Sequence, residues 1–104
     1  MYKITYYIGC NDKDTLEQEL SDAKIIRVID NLFEDYTISK AYGRFTNKNG
    51  VRTFEKSFVV TLILDIKDKE TSKEWVENNC RYLKYRLNQE SILVTKELIQ
   101  ASFM

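Results

Sequence analysis

The chain has 104 residues, 16 Lys and Arg against 16 Asp and Glu, and no His, so its formal net charge is zero. Without His it has no imidazole base, no Ser-His-Asp or Cys-His nucleophile and none of the usual zinc-hydrolase ligand sets. The balanced charge argues against nucleic acid as a partner, and no apolar run approaches the ~20 residues of a membrane helix.

The first segment, Tyr2 to Gly9, alternates Ile4, Tyr6 and Ile8 with Lys3, Thr5 and Tyr7, the period of a strand. A turn at Cys10 to Lys13 follows. Asp12 or Asp14, with the Thr15-Leu16-Glu17-Gln18 capping box, predicts a helix running to about Leu32. Leu16, Leu20, Ala23, Ile26, Ile29 and Phe33 would form its apolar stripe. Tyr36 to Thr46 reads as a second strand, and Asn47-Lys48-Asn49-Gly50 as the turn of a hairpin. The third strand, Val51 to Asp65, is apolar on both faces between Phe58 and Leu64, which places it in the middle of its sheet with both sides covered. Asp68 to Thr71 opens a second helix, with Thr71-Ser72-Lys73-Glu74 as a capping box. Val76, Cys80, Leu83 and Leu87 give it a core stripe, and Asn88 or Gln89 ends it. Ser91 to Ile99 reads as the last strand.

The order β-α-β-β-α-β is the α+β ferredoxin-like pattern: a four-stranded antiparallel sheet with two helices on one face, in a single domain, 1–104. Phe58, Val60, Leu62 and Leu64 should then face the helices with Ile4, Tyr6 and Ile8. The other face would carry Thr5, Tyr7, Val59, Thr61 and Ile63, with Ala41 or Tyr42 from the second strand, and Tyr7, Val59 and Ile63 would make an apolar patch of the size that marks interaction sites. Its expected partner is a second copy of the chain, as a homodimer, or another protein.

Cys10 precedes a predicted helix N-terminus, where a thiol pKa can fall, but the simpler reading is a half-buried turn residue; Cys80 falls on the core stripe. Two thiols without His make no tetrahedral metal site, and neither a metal nor another cofactor is expected. The N-terminus has no basic segment followed by an apolar one, so the expected compartment is the cytoplasm with both thiols reduced. The most informative polar set is Tyr42, Arg44, Glu55, Lys56, Gln89 and Glu90. Arg44 and Glu55 lie on opposite arms of the hairpin and could pair across it, while Gln89 and Glu90 begin the last strand. As a site, Tyr42, Arg44, Glu55, Gln89 and Glu90 would line a small ligand pocket at a sheet edge.

Tyr6-Tyr7-Ile8-Gly9, Ala41-Tyr42-Gly43-Arg44-Phe45, Asn49-Gly50 and Gln89-Glu90-Ser91-Ile92-Leu93 occur in that order. In this the chain resembles a bacterial domain-of-unknown-function family of small ferredoxin-like proteins with A-Y-G-x-F/W and Q-E-S-I/V-L patterns. The resemblance runs from about Thr5 to Val94 and implies the same fold. It implies no activity. The leading expectation is a non-enzymatic protein that binds through its open sheet face. The alternatives are a phage or mobile-element inhibitor of a host protein complex, and a small-molecule-binding or weakly catalytic domain.

Overall fold

The computed structural model describes residues 1–11, 13–14, 20–65 and 69–104. Six elements follow in the expected order: β1 (Tyr2–Gly9), α1 (Asp22–Leu32), β2 (Thr37–Thr46), β3 (Arg52–Leu64), α2 (Lys69–Arg86) and β4 (Leu93–Leu98). The strands form one antiparallel sheet in the order β2-β3-β1-β4, the ferredoxin-like arrangement. β3, with the longest apolar run, is central beside β1. One of its faces lies on the helices. There Ile4, Tyr6, Ile8, Phe58, Val60 and Leu62 meet Ile25, Val28 and Ile29 of α1 and Leu83 and Leu87 at the end of α2 in one core. The expectation that both faces of β3 are covered does not hold within a single chain. Ile63 is 43 % exposed on the far side, where neither helix packs.

α1 departs from the sequence reading at its start, whereas α2 opens within the expected Asp68 to Thr71 span but not with the expected cap. α1 begins at Asp22, capped by Ser21, whose Oγ accepts the Lys24 N–H at 3.1 Å. The Thr15 to Gln18 box lies outside the described residues. Asp14 makes a different contact, accepting a hydrogen bond from the Asn88 amide at 3.1 Å. With the later start, the apolar face is Ile25, Val28, Ile29 and Leu32, the i, i+3, i+4, i+7 row. Ile26, expected inside, is 39 % exposed because it sits 100° from Ile25 around the helix. Thr71 is the third residue of α2 and so cannot cap it. The face of α2 toward the sheet also carries two polar side chains. Ser72 is buried and its Oγ accepts from Lys96 Nζ at 3.0 Å, and Asn79 faces the Tyr6 hydroxyl in a geometry looser than a good hydrogen bond. Cys80, read as core, is half-buried at the edge of this face.

The turns follow residue chemistry closely. Asn47 Oδ1 accepts from the N–H groups of Asn49 and Val51 at 2.9 and 3.0 Å, and Gly50 takes φ +78° to close the hairpin. Just beyond the end of α2 Asn88 takes φ 48°, and the Gln89 N–H reaches back to the Lys84 carbonyl at 3.0 Å, a Schellman closure.

Asp22, in the first turn of α1, ties that helix to the hairpin by bonding both Lys40, at 2.6 Å, and Lys56. Those two bonds hold its carboxyl below the usual aspartate range. A depressed carboxylate stabilises the fold above its unfolded pKa and loses that contribution as pH falls through the folded value. Asp22→Asn should therefore lower the urea midpoint at pH 6, and its gap to the wild type should close below about pH 4. A gap independent of pH would assign the effect to the helix cap instead.

Candidate functional site

Beyond Gly9, β1 stops and the β2–β3 hairpin continues alone as an arm. The register places Tyr42 opposite Lys56, Gly43 opposite Glu55, Arg44 opposite Phe54 and Phe45 opposite Thr53. Side chains alternate across a strand. Tyr42, Arg44, Phe54 and Lys56 therefore share the helix-side face of the arm, while Phe45, Thr53 and Glu55 share the open face. Arg44 and Glu55 cannot form the cross-strand pair that sequence spacing suggested, because they project from opposite faces.

A cavity of about 140 Å³ lies on the open face, where the arm leaves the sheet. Tyr7, Gly9, Phe45, Glu55, Gln89 and Glu90 are among its lining residues, with Asn11, Lys13 and Leu93. The structure thus brings together three of the five candidate ligand residues, Glu55, Gln89 and Glu90, and leaves Tyr42 and Arg44 on the other side of the arm.

Two glycines shape this cavity. A Cβ at Gly9 would collide with the Glu55 carboxylate, so the bare backbone there is the floor on which that side chain lies. A Cβ at Gly43 would come within 2.7 Å of the Phe45 ring, which lies across it in the same way. The β1–α1 loop completes the setting. The Asn11 N–H donates to Glu55 Oε2 at 3.1 Å. Gln89, only 8 % exposed, donates from Nε2 to the carbonyls of Asn11 and Leu87 at 2.9 and 3.1 Å. The Lys13 N–H donates to the Asn88 carbonyl at 3.1 Å. The α2–β4 junction therefore clamps the loop that holds Glu55. Sequence reasoning grouped Gln89 with Glu55 but gave it a ligand role, and its visible role is structural. Gly9, Asn11 and Phe45 were not singled out as site residues.

Burial is the larger influence on Glu55 and pushes its pKa up, while the Asn11 bond acts the other way. Among the described residues no Lys or Arg forms an ion pair with it. A half-desolvated carboxylate with one neutral donor is under-compensated and attracts a cation. Among the described residues no three Cys, Asp and Glu side chains gather as metal ligands.

The remaining candidates divide clearly. Tyr7, Val59, Thr61 and Ile63 all project from the open face, where Leu93 of β4, opposite Tyr7, adds a residue 59 % exposed. Cys10 is fully buried, and desolvation pushes its thiol up to about 11 despite nearby Lys56.

A scan against protein-family profiles and a search of curated proteins give no match. Solved structures do. A phage SAM lyase in complex with S-methyl-5′-thioadenosine matches with TM-score 0.69 and 22 % identity, over 92 % of this chain and 79 % of that one. The apo phage SAM lyase matches at 0.71 and 20 %, over 92 % and 78 %. CutA, the periplasmic divalent cation tolerance protein of Archaeoglobus fulgidus, matches at 0.61 and 12 %, over 99 % and 88 %. These likenesses share the ferredoxin-like fold. No helix among the described residues is long and apolar enough to cross a membrane.

A buried thiol with a raised pKa is a poor nucleophile. In native protein at pH 8 an aromatic disulfide reagent should label half-buried Cys80 first and Cys10 only on unfolding. Fast native labelling of Cys10 would contradict the burial described here.

Proposed function

We propose that the Glu55 cavity binds the cationic end of a sulfonium nucleoside of the S-adenosylmethionine class, and that the chain cleaves it to S-methyl-5′-thioadenosine. The observation that carries this reading is the Glu55 carboxylate itself: half-buried, raised in pKa and without an ion-pair partner among the described residues. The likeness in fold to a phage lyase acting on that ligand class supports it.

The chemistry suits a chain with no His. In S-adenosylmethionine the carbon–sulfur bond on the amino-acid side breaks with its electron pair going to sulfur. The four-carbon fragment's own carboxylate closes on the carbon that sulfur left. A sulfonium cation and a carboxylate are consumed and two neutral groups form, so no proton moves and no general base is needed. Charge annihilation of this kind is favoured where water is excluded. The ligand's ammonium keeps its charge throughout. Glu55 would anchor that charge, contributing to binding more than to the chemical step.

A ligand of this size needs about 300 Å³ or more, and the cavity offers about 140 Å³. We infer that a second copy on the open face supplies the missing wall, with Tyr7, Val59, Thr61 and Ile63 in the contact. This keeps the open-face homodimer and joins it to the ligand reading. The uncovered apolar side chains, Ile63 at 43 % and Leu93 at 59 % exposure, support it.

Calorimetry with S-adenosylmethionine and chromatographic detection of S-methyl-5′-thioadenosine test the ligand reading. Glu55→Gln should weaken binding about tenfold or more, the scale of a charged hydrogen bond. Wild-type affinity should fall on acidification at a higher pH than for an ordinary carboxylate. The same raised pKa means that ionising Glu55 opposes folding, so Glu55→Gln should leave the melting temperature at pH 7 unchanged or higher. Neither binding nor product from the wild type would overturn the reading. Val59→Glu should reduce the mass on light scattering and weaken ligand binding together; an unchanged mass would remove the open-face contact.

A further inference from the structure

The helix-side face of the arm, beyond the reach of the core, carries an exposed aromatic pair. Tyr42 and Phe54 are 72 % and 73 % exposed and stack on each other, centroids 6.0 Å apart and planes 8° from parallel. Arg44 lies opposite Phe54 in the register, and Arg52 is two residues along the same face. Neither arginine has an ion pair among the described residues, whereas Lys40 and Lys56, nearer the sheet, are held by Asp22. Stacked rings with two unpaired arginines beside them toward the tip of the arm are a surface suited to an apolar site with an acidic rim.

The chain carries such a site at its other end. A groove of about 290 Å³ opens between the end of α1, the end of β3 and α2. Leu32, Leu62, Leu64 and the Phe33–Trp75 pair, centroids 5.8 Å apart, form its apolar part. Glu34 and Asp35 also line it, neither in an ion pair among the described residues. Arm and groove sit at opposite ends of β3, in a molecule 41 Å long, so a chain cannot reach its own groove.

We propose that the Tyr42–Phe54 face of the arm docks head to tail in the Glu34–Asp35 groove of a second copy. Arg44 and Arg52 meet the acidic rim, and the two rings cover the apolar floor beside Trp75. The contact is heterologous, so every copy uses both its arm and its groove, and the chain of contacts closes into a ring or extends. It employs none of Tyr7, Val59 or Thr61, Ile63 being the one open-face residue that also lines the groove, and it stands or falls independently of the ligand reading. It also gives Tyr42 and Arg44 a role that their position on the arm allows, facing a neighbour rather than the Glu55 cavity.

Charge reversal tests the match, with mass followed by light scattering across protein and salt concentration. Arg44→Glu with Arg52→Glu, or Glu34→Lys with Asp35→Lys, should weaken assembly about tenfold or more, the effect of facing like charges. The four substitutions combined should restore it. Rising salt should weaken the wild-type assembly. Tyr42→Ser with Phe54→Ser removes the rings without touching charge, and should also dissociate it while circular dichroism stays native. Wild type that is monomeric at every concentration, reversals that leave the mass unchanged, or a fourfold variant no better than the pairs would each overturn the proposal. Loss of mass in Val59→Glu alone, with both reversals silent, would assign assembly to the open face.

Discussion

The register of β3 against its two neighbours determines what every surface of this protein can be. Because strand side chains alternate, a slip by one residue would exchange all the faces of β3 at once. With Tyr6 opposite Val60 on one side and Ile38 opposite Val60 on the other, the even residues of β3 go to the helices and the odd ones to the open face. The cost of the alternative enforces the choice. Exchanging Phe58, Val60 and Leu62 for Val59, Thr61 and Ile63 would bring a Thr into the core and expose a Phe and a Leu to water, at about 1.5–3 kcal/mol for each large side chain lost from burial. That parity runs unbroken into the arm, where no helix is left to enforce it. It puts Glu55 and Phe45 on one side and Tyr42, Arg44 and Phe54 on the other. The core thus dictates the two faces of a segment that lies outside it.

The carboxylate at the cavity depends on backbone as much as on side chains. Glu55 can lie flat only because residue 9 has no Cβ. It keeps a hydrogen-bond donor only because the β1–α1 loop is clamped by the α2–β4 junction through Gln89 and Asn88. The left-handed Asn88 that closes α2 delivers the chain to that junction. A helix cap, a loop and a strand end, distant in sequence, converge on one acidic group. Such an arrangement costs stability, since it holds a carboxylate partly out of water with a single neutral donor. Folding alone gives no reason to keep it, and the proposed cationic ligand would supply one.

Much of this was legible in the residues. The two-residue alternation of Tyr2 to Gly9 and the long apolar run of Phe58 to Leu64 carry the strand order, because only a central strand can be apolar on both faces. Asn47 to Gly50 announces its turn through an Asn side chain that caps the backbone and a Gly that accepts positive φ. The start of α1 was not legible. Asp12, Asp14, Thr15 and Ser21 are all acceptable caps, and nothing local ranks them. Phase followed from that choice, so Ile26 was placed inside where Ile25 belongs. The Arg44–Glu55 pairing failed for a different reason. Pairing across a hairpin depends on the exact register, and one residue of offset, Gly43 rather than Arg44 opposite Glu55, sends the partners to opposite faces. Gly9, though part of a quoted motif, and Asn11 do not stand out as site residues in the sequence, because their contribution is a missing side chain and a backbone N–H, neither of which residue type reveals.

The neutral net charge hides a division of labour. Sixteen cations and sixteen anions cancel in sum, yet they are not mixed evenly. Lys40, Arg44, Lys48, Arg52 and Lys56 belong to the hairpin, while Asp30, Glu34, Asp35 and Asp65 cluster near the far ends of α1 and β3. Glu55 is the one acidic residue of the hairpin, and it faces the cavity. In the proposed head-to-tail contact, the basic arm of one copy faces the acidic groove of the next. On this reading the charge pattern favours one relative orientation of two copies, which is what electrostatics contributes to recognition beyond affinity.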